Sequence, residues 1–480
     1  MTINDFEVLK PYTLLTVWAC ILLLVDLFIP KERKGITALL SALGLAITLG
    51  FTLAQIGNER SGFTGMVVLD GFSTFVNALL LVSGLLGVAL AYGYVKRMNI
   101  ERGEYYVLLL FSVTGMMLMA QASDLIVVFI ALELLSIPLY VLAAFNRTKS
   151  ESEEAGLKYF LLGAFATGFV VYGTALVFGA TGSTNLSAIV TSASAGTSSL
   201  LLTIGAALIL VGFGFKIAAV PFHMWTPDVY QGAPSAVTAF MSSGAKIAGF
   251  AALLRVFATA FPSLATDMTD VLWALAAATM ILGNVIAISQ TNIKRLLAYS
   301  SIAHAGYILM AFVPYGNPTV RDVSIAAGLF YLVSYAVTNF GAWGVVIALE
   351  KAEGKGLEIA DYAGLGRKYP ALAAAMTVFM LSLIGFPPTL GMVGKFYLFR
   401  SVIAGGYTWL AIIGVLTSLI SAYYYLRVVV TMYMKDGEPV TERETWLALT
   451  TGVTAVITVV VSLVPQYLFA WASNAVLKLF

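Results

Sequence analysis

The chain has 480 residues, of which 60% are hydrophobic and only 11% charged, whereas a soluble globular chain is roughly 45–50% apolar and about 25% charged. A net charge of +2 provides neither the basic field that nucleic acid requires nor an acidic tail. One cysteine, Cys20, and two histidines, His223 and His304, exclude disulfides, Cys-rich zinc sites and iron–sulfur clusters held by this chain alone.

So few charges cannot cover a water-facing surface, and lipid is the solvent that the composition implies. The leader Met1-Thr-Ile-Asn-Asp-Phe-Glu7 is acidic, and no small-residue cleavage site follows the first apolar run. It is not read as a signal peptide, and a first helix over about 11–29 is expected to stay in the protein. A membrane span needs about 20 mostly apolar residues. Apolar runs of that kind centre near residues 20, 46, 82, 112, 133, 168, 210, 247, 280, 305, 337, 385, 420 and 460. The expected fold is all-α, a single membrane unit over 1–480 with about fourteen helices. The Ser/Thr/Ala-rich stretch Gly182–Ser199 reads as a loop, and Glu350–Pro370 is too short to fold alone.

Basic residues cluster after helices 1, 3, 5, 9, 11 and 13: Lys31, Arg33 and Lys34; Lys96, Arg97 and Arg102; Arg147 and Lys149; Lys294 and Arg295; Lys351, Lys355, Arg367 and Lys368; Lys435 and Arg443. The other loops hold only Lys10, Arg60, Arg255 and Arg321. Basic loops stay in the cytoplasm, so both termini are expected outside, in the periplasm of a bacterial inner membrane.

Two helices carry internal breaks, in the segments Gly212–Pro227 and Leu383–Lys395, at Pro221 and at Pro387-Pro388. Proline removes a backbone hydrogen bond, and freed carbonyls in a membrane survive only inside protein or beside a wet cavity. The breaks fall in helices 7 and 12, five helices apart. Paired breaks of this kind point to inverted repeats, here helices 4–8 (104–260) and helices 9–13 (268–434).

Glu133, Lys158, Lys216, Lys246, His304 and Lys395 stand inside apolar runs. Each central charge costs about 2.5–3.5 kcal/mol on insertion scales, so they must face a partner, water or the protein interior. A neighbouring carboxylate stabilises an ammonium and burial destabilises it; the balance decides how readily a lysine exchanges its proton. Lys216 adjoins the first break, Lys395 the second, and Lys246 sits among small residues in Ser242–Gly249. Lys158 follows Glu151, Glu153 and Glu154 and reads equally as an interfacial charge. His304 can be a satisfied interior imidazole or a relay. His223 can cap the break or carry protons between Lys216 and Lys246. Arg427 and Asp228 read as structural. No Gly-rich phosphate loop is present, so any driving redox or nucleotide chemistry lies elsewhere.

The segments Val220-Pro-Phe-His-Met-Trp-Thr-Pro-Asp-Val-Tyr-Gln-Gly-Ala-Pro234, Ser243-Gly-Ala-Lys-Ile-Ala-Gly249, Tyr299-Ser-Ser-Ile-Ala-His-Ala-Gly-Tyr307 and Gly385-Phe-Pro-Pro with Gly394-Lys-Phe396 resemble the antiporter-like membrane subunits of respiratory complex I, in their N-type form. The resemblance spans about residues 10–470. It implies a fourteen-helix fold with inverted repeats and a place in the membrane arm of a proton-pumping NADH:quinone oxidoreductase, beside M-, K- and J-type subunits. It implies that Glu133 pairs with Lys216 as an input unit, that Lys246 is the central relay supported by His223 and His304, and that Lys395 is the output. Lys158 matches a lysine typical of the N type. NADH, FMN, iron–sulfur clusters and quinone would belong to other subunits, leaving no cofactor or metal here. An Mrp-type sodium/proton antiporter subunit has the same fold and is the alternative. The electron donor of the parent complex is left open.

Overall fold

The computed structural model describes residues 3–194, 200–442 and 444–476; Arg443 and the end of the 182–199 stretch lie outside them. Helices 1 to 6 are Ile3–Asp26, Gly35–Ala54, Gly71–Arg97, Gly103–Gln121, Leu125–Ala143 and Ser150–Thr181. Helix 7 is broken into Leu200–Ile217 and Trp225–Gly232. Helices 8 to 11 are Ser235–Ala260, Ala265–Ala287, Ile293–Met310 and Arg321–Leu349. Helix 12 is broken into Pro370–Ile384 and Leu390–Ala404, and helices 13 and 14 are Thr408–Met434 and Thr445–Leu463. Among the described residues, 13 helices are long and apolar enough to cross a membrane, and the two halves of helix 12 make the fourteenth.

The sequence reading differs in three places. Helix 1 begins at Ile3 rather than near residue 11, with Pro11 inside it. The carbonyl that Pro11 cannot serve, that of Glu7, accepts from Gln55 Nε2 at 2.8 Å, so the helix continues through the proline without an orphaned acceptor. A short hairpin, β1 (Arg60–Gly62) and β2 (Val67–Leu69), joins helices 2 and 3. The stretch read as a loop after helix 6 contains a further helix, Leu186–Ser194.

The exterior is apolar, and polar side chains are buried within an apolar core. Large side chains such as Phe28, Phe165 and Leu419 are exposed, whereas Ser235, Thr238, Asn284 and Asn339 are buried. Helix 8 is wholly buried, and helices 10 and 11 nearly so; these three form the centre. Glycines bring neighbouring backbones together, Gly283 against Ala303 between helices 9 and 10 and Gly173 against Gly205 between helices 6 and 7, as small residues do where hydrophobic drive is weak. Helix 3 is tied to helix 8 by two Arg255–Asp70 hydrogen bonds of 2.9 Å.

The packing recurs along the chain. Helix 4 packs on helices 5 and 8, helix 9 on helices 10 and 13, helix 6 on helix 7, and helix 11 on helix 12. The links after helices 3, 9, 11 and 13 meet on one face: Arg97 bonds Glu444 at 2.5 Å and the Ile347 carbonyl at 2.6 Å, and Asn292 bridges Glu358.

Candidate functional site

The breaks in helices 7 and 12 are built alike. Ala218, with φ 62°, ends the first half of helix 7, and the amide of Ala219 reaches back to the Gly214 carbonyl at 2.8 Å. Gly385, with φ 91°, ends the first half of helix 12, and the amide of Phe386 reaches the Leu381 carbonyl at 2.9 Å. Both closures follow the Schellman pattern, with a left-handed residue just past the helix end. They leave carbonyls free, and the breaks use them differently. Trp225 Nε1 donates to the Phe215 carbonyl at 3.0 Å, which frees Lys216 for other partners. At the second break Lys395 itself donates to the Leu383 and Ile384 carbonyls at 3.1 and 2.9 Å, where the negative end of a helix favours a cation.

Lys216, Lys246 and Lys395 are all buried, and each is held by hydroxyls, carbonyls and aromatic faces. Lys216 Nζ donates to Ser136 Oγ at 2.7 Å and approaches Tyr159 Oη at 3.4 Å, with the Tyr159 ring 5.4 Å away. Lys246 Nζ donates to the carbonyl and hydroxyl of Ser301 over the Tyr335 ring. Lys395 Nζ donates to Ser418 Oγ at 2.8 Å and sits 4.4 Å from the Tyr307 ring centre. None of these contacts is with a carboxylate. A hydroxyl both donates and accepts, so it accommodates the lysine as ammonium or as free amine.

Helix 10 links two of the three. Ser301, His304 and Tyr307 follow at three-residue spacing and share one face. Ser301 holds Lys246; His304 Nδ1 meets Tyr331 Oη at 2.8 Å and Nε2 meets Tyr425 Oη at 3.3 Å; Tyr307 Oη accepts from Ser418 Oγ at 3.1 Å, which holds Lys395. His304 is thus a satisfied interior imidazole lying between two lysine sites. Between Lys216 and Lys246 the structure shows packing: Gly249, one turn past Lys246, lies against the Lys216 stem.

Three further residues of the sequence reading are placed apart from the hydrogen bonds of the lysine row. Glu133 and Lys216 do not form a contact pair: Glu133 Oε1 accepts from Thr167 Oγ1 at 2.8 Å, and Ser136, one turn along helix 5, takes the lysine. The hydroxyl and the break geometry position Lys216 without a carboxylate. His223 is half-buried; its carbonyl accepts the Thr226 amide, and none of the hydrogen bonds of Lys216 or Lys246 involves its ring. Lys158 is 40% exposed and pairs with Glu154 at 2.7 Å and Asp228 at 2.8 Å, at the water-facing end of helix 6. Asp228 also binds Arg295 at 2.9 Å, and Arg427 takes the Ile288 carbonyl at 2.9 Å; both read as structural.

Sequence reasoning passed over the hydroxyls that hold the lysines, and over Lys294 and Glu350, which are buried at helix ends. The three-residue polar spacing on helix 10 was the available signal for the first. Among the described residues no group of three or more His, Cys, Asp or Glu side chains is placed to hold a metal ion.

Comparison with known proteins places this site in context. The family described as NADH:quinone oxidoreductase/Mrp antiporter, TM, matches residues 122–421, a span that includes Glu133, both breaks and all three lysines. The chain is 49% identical to a Trichlorobacter lovleyi protein named NADH-quinone oxidoreductase subunit N, over 99% of this chain and 97% of that one. It is 36% identical to a chain of respiratory complex I from Thermus thermophilus, with TM-score 0.83 over 96% of this chain and 99% of that one. A chain of the Mrp complex from a Dietzia species shares the fold, with TM-score 0.86 at 20% identity, over 99% of this chain and 97% of that one.

Proposed function

The chain belongs to the NADH-quinone oxidoreductase subunit N family, within the NADH:quinone oxidoreductase/Mrp antiporter membrane family, and from that premise we propose that it moves protons across the membrane as an antiporter-like subunit of such a complex. The observation that carries this reading is the helix-10 stripe. Ser301, His304 and Tyr307 line one buried face between the two lysine sites, Ser301 holding Lys246 and Tyr307 meeting the Ser418 hydroxyl that holds Lys395, with the His304 imidazole between them.

In this reading Lys216 is loaded on the Glu133 side, Lys246 is the central relay, and Lys395 is the output. Glu133 acts on Lys216 through field rather than contact. Lys158 and His223 serve the edges of the row, Lys158 at the water-facing end and His223 at the break. Moving one charge across the membrane potential is worth about 2.3 kcal/mol per 100 mV, so outward transfer needs a drive. That drive is quinone reduction by NADH elsewhere in the complex, where FMN, the iron–sulfur clusters and quinone reside. The matching breaks and recurring packing support two inverted units, 104–260 and 268–434. The basic loops support placing both termini outside the cell membrane, and the apolar flanks suit M-, K- and J-type neighbours.

The test is extraction in mild detergent followed by native mass and redox assay. The expected result is a large assembly that oxidises NADH and reduces quinone. Migration near 51.2 kDa, or only with other transporter subunits and without redox activity, would move the sodium/proton antiporter reading to the front.

A further inference from the structure

The face that gathers the links after helices 5, 9 and 11 holds an open cavity of about 650 Å³, lined in part by Lys158 but not by Lys216, Lys246 or Lys395. Its floor is formed by two buried charges. Glu350, directly after helix 11, is 4% exposed. One carboxylate oxygen accepts from Tyr94 Oη at 3.3 Å; the other has no hydrogen-bond partner among the described residues. Lys294, 2% exposed, donates to the Ala233 carbonyl at 2.7 Å. A carboxylate at the C-terminal end of a helix opposes the helix dipole, and a buried polar atom ordinarily has a partner. A purely structural acid is poorly suited to that position.

Acidic groups on the cavity wall are Glu151 and Glu154 from helix 6, Asp228 from helix 7 and Glu353 from the link after helix 11. Basic groups are Lys149 before helix 6, Lys158 within it, and Lys294 at the start of helix 10. With Glu350 these are five acids and three bases, and two further bases pair with the acids, Arg295 with Asp228 at 2.9 Å and Lys355 with Glu353 at 3.5 Å.

A polar path leads inward from the floor. The Tyr94 hydroxyl that donates to Glu350 accepts the Ser235 amide at 2.9 Å, and the Ser235 hydroxyl is itself buried without a partner among the described residues. From Ser235, polar side chains continue along helix 8 at Thr238, Ser242 and Lys246, spaced as one face. Eleven residues cover about 16 Å. On the facing helix 10, Ser301 lies two turns beyond Lys294 and is also reached by Tyr230.

We propose that Glu350 is the proton-collecting group of this vestibule and that it loads Lys246. The carboxylate takes a proton from hydronium in the cavity and leaves water. The acid then gives that proton up along the hydroxyl path, Lys246 Nζ gains an N–H bond, and Glu350 returns to carboxylate. This rests on the proton-carrying reading of the lysine row.

The experiment compares wild type, Glu350→Gln, Glu350→Asp and Lys246→Met in the assembled complex in vesicles, measuring proton translocation between about pH 6 and pH 8. A positioned proton-transfer group contributes on the order of 10²–10⁴-fold. Glu350→Gln is therefore expected to lower translocation by about tenfold or more, with the deficit deepening as pH rises and free protons become scarce. Glu350→Asp should recover most of the rate. A structural lesion would lower the rate equally at every pH. If Glu350→Gln does not assemble, Ser235→Ala, which keeps the amide bonded to Tyr94, is expected to show the same pH-dependent deficit. Full translocation with an unchanged pH profile in Glu350→Gln, or in Ser235→Ala where that stands in, overturns the proposal while Lys246→Met fails to pump. Full translocation in Lys246→Met as well would remove the underlying reading.

Discussion

Each lysine of the interior row meets one serine hydroxyl, and Lys216 relies on it most. Ser136 takes Lys216 at 2.7 Å, and the other contact, Tyr159 at 3.4 Å, is weak. Lys216→Ala should impair proton translocation and leave assembly largely intact, because the buried rings of Tyr140 and Tyr159 still line the site. Normal pumping by the assembled variant would remove Lys216 from the mechanism. Ser136→Ala should lower translocation several-fold while retaining the lysine; an unchanged rate would show that Ser136 does not position it. The lysines, Glu133 and His304 could be found in the sequence because a charge within an apolar run is conspicuous. Ser136, Ser301 and Ser418 could not, because hydroxyls occur on every face of these helices and only packing shows which ones turn inward. Lys294 and Glu350 were hidden for the opposite reason, since charges at helix ends are ordinary. That Glu133 takes Thr167 and Lys216 takes Ser136 was not legible either, because spacing along the chain does not reveal which hydroxyl meets which charge.

At the level of elements, the second break is held by a glycine for two reasons. Gly385 has φ 91°, and a Cβ there would come within 2.9 Å of Lys395 Cδ. Gly385→Ala should cost about 1–2 kcal/mol for the left-handed backbone and displace Lys395 from the carbonyls it caps. The assembled variant should then lose translocation as a Lys395 variant does; a rate equal to wild type would contradict this. The tie between helices 3 and 8 makes a pH-dependent prediction. Burial pushes the Asp70 carboxyl up, but the Arg255 guanidinium and the helix-cap hydrogen bonds outweigh it and hold it below its usual range. Its folded value lies below its unfolded one, so the pair contributes stability at neutral pH that is lost as pH falls through the folded value. Asp70→Asn leaves Arg255 buried without its charge partner, at a cost of roughly 3–5 kcal/mol. Thermal denaturation should show that deficit in full at pH 7 and a narrowing gap below about pH 4. A gap constant with pH would contradict the assignment. The breaks were legible from Pro221 and Pro387-Pro388. The hairpin at 60–69 and the helix at 186–194 were not, because short elements outside the apolar core carry little periodic signal.

For the whole molecule, an apolar exterior is what a lipid solvent requires, and the composition alone predicted that solvent. The proposed orientation rests on loop charge. In a Cys20→Ser background, Lys355→Cys in the link after helix 11 should react with a membrane-impermeant thiol reagent only from the cytoplasmic side; labelling from outside would reverse the topology and with it the direction of uptake from the vestibule. In the proposed mechanism protons cross this chain through its interior lysines while electrons move elsewhere in the assembly. The decisive experiment reconstitutes the purified assembly in vesicles and measures proton translocation driven by NADH and quinone, wild type against Lys246→Met, which preserves side-chain volume in a fully buried helix. The expected result is an intact assembly that has lost most of its proton translocation; an intact assembly that translocates protons as wild type does would overturn the mechanism.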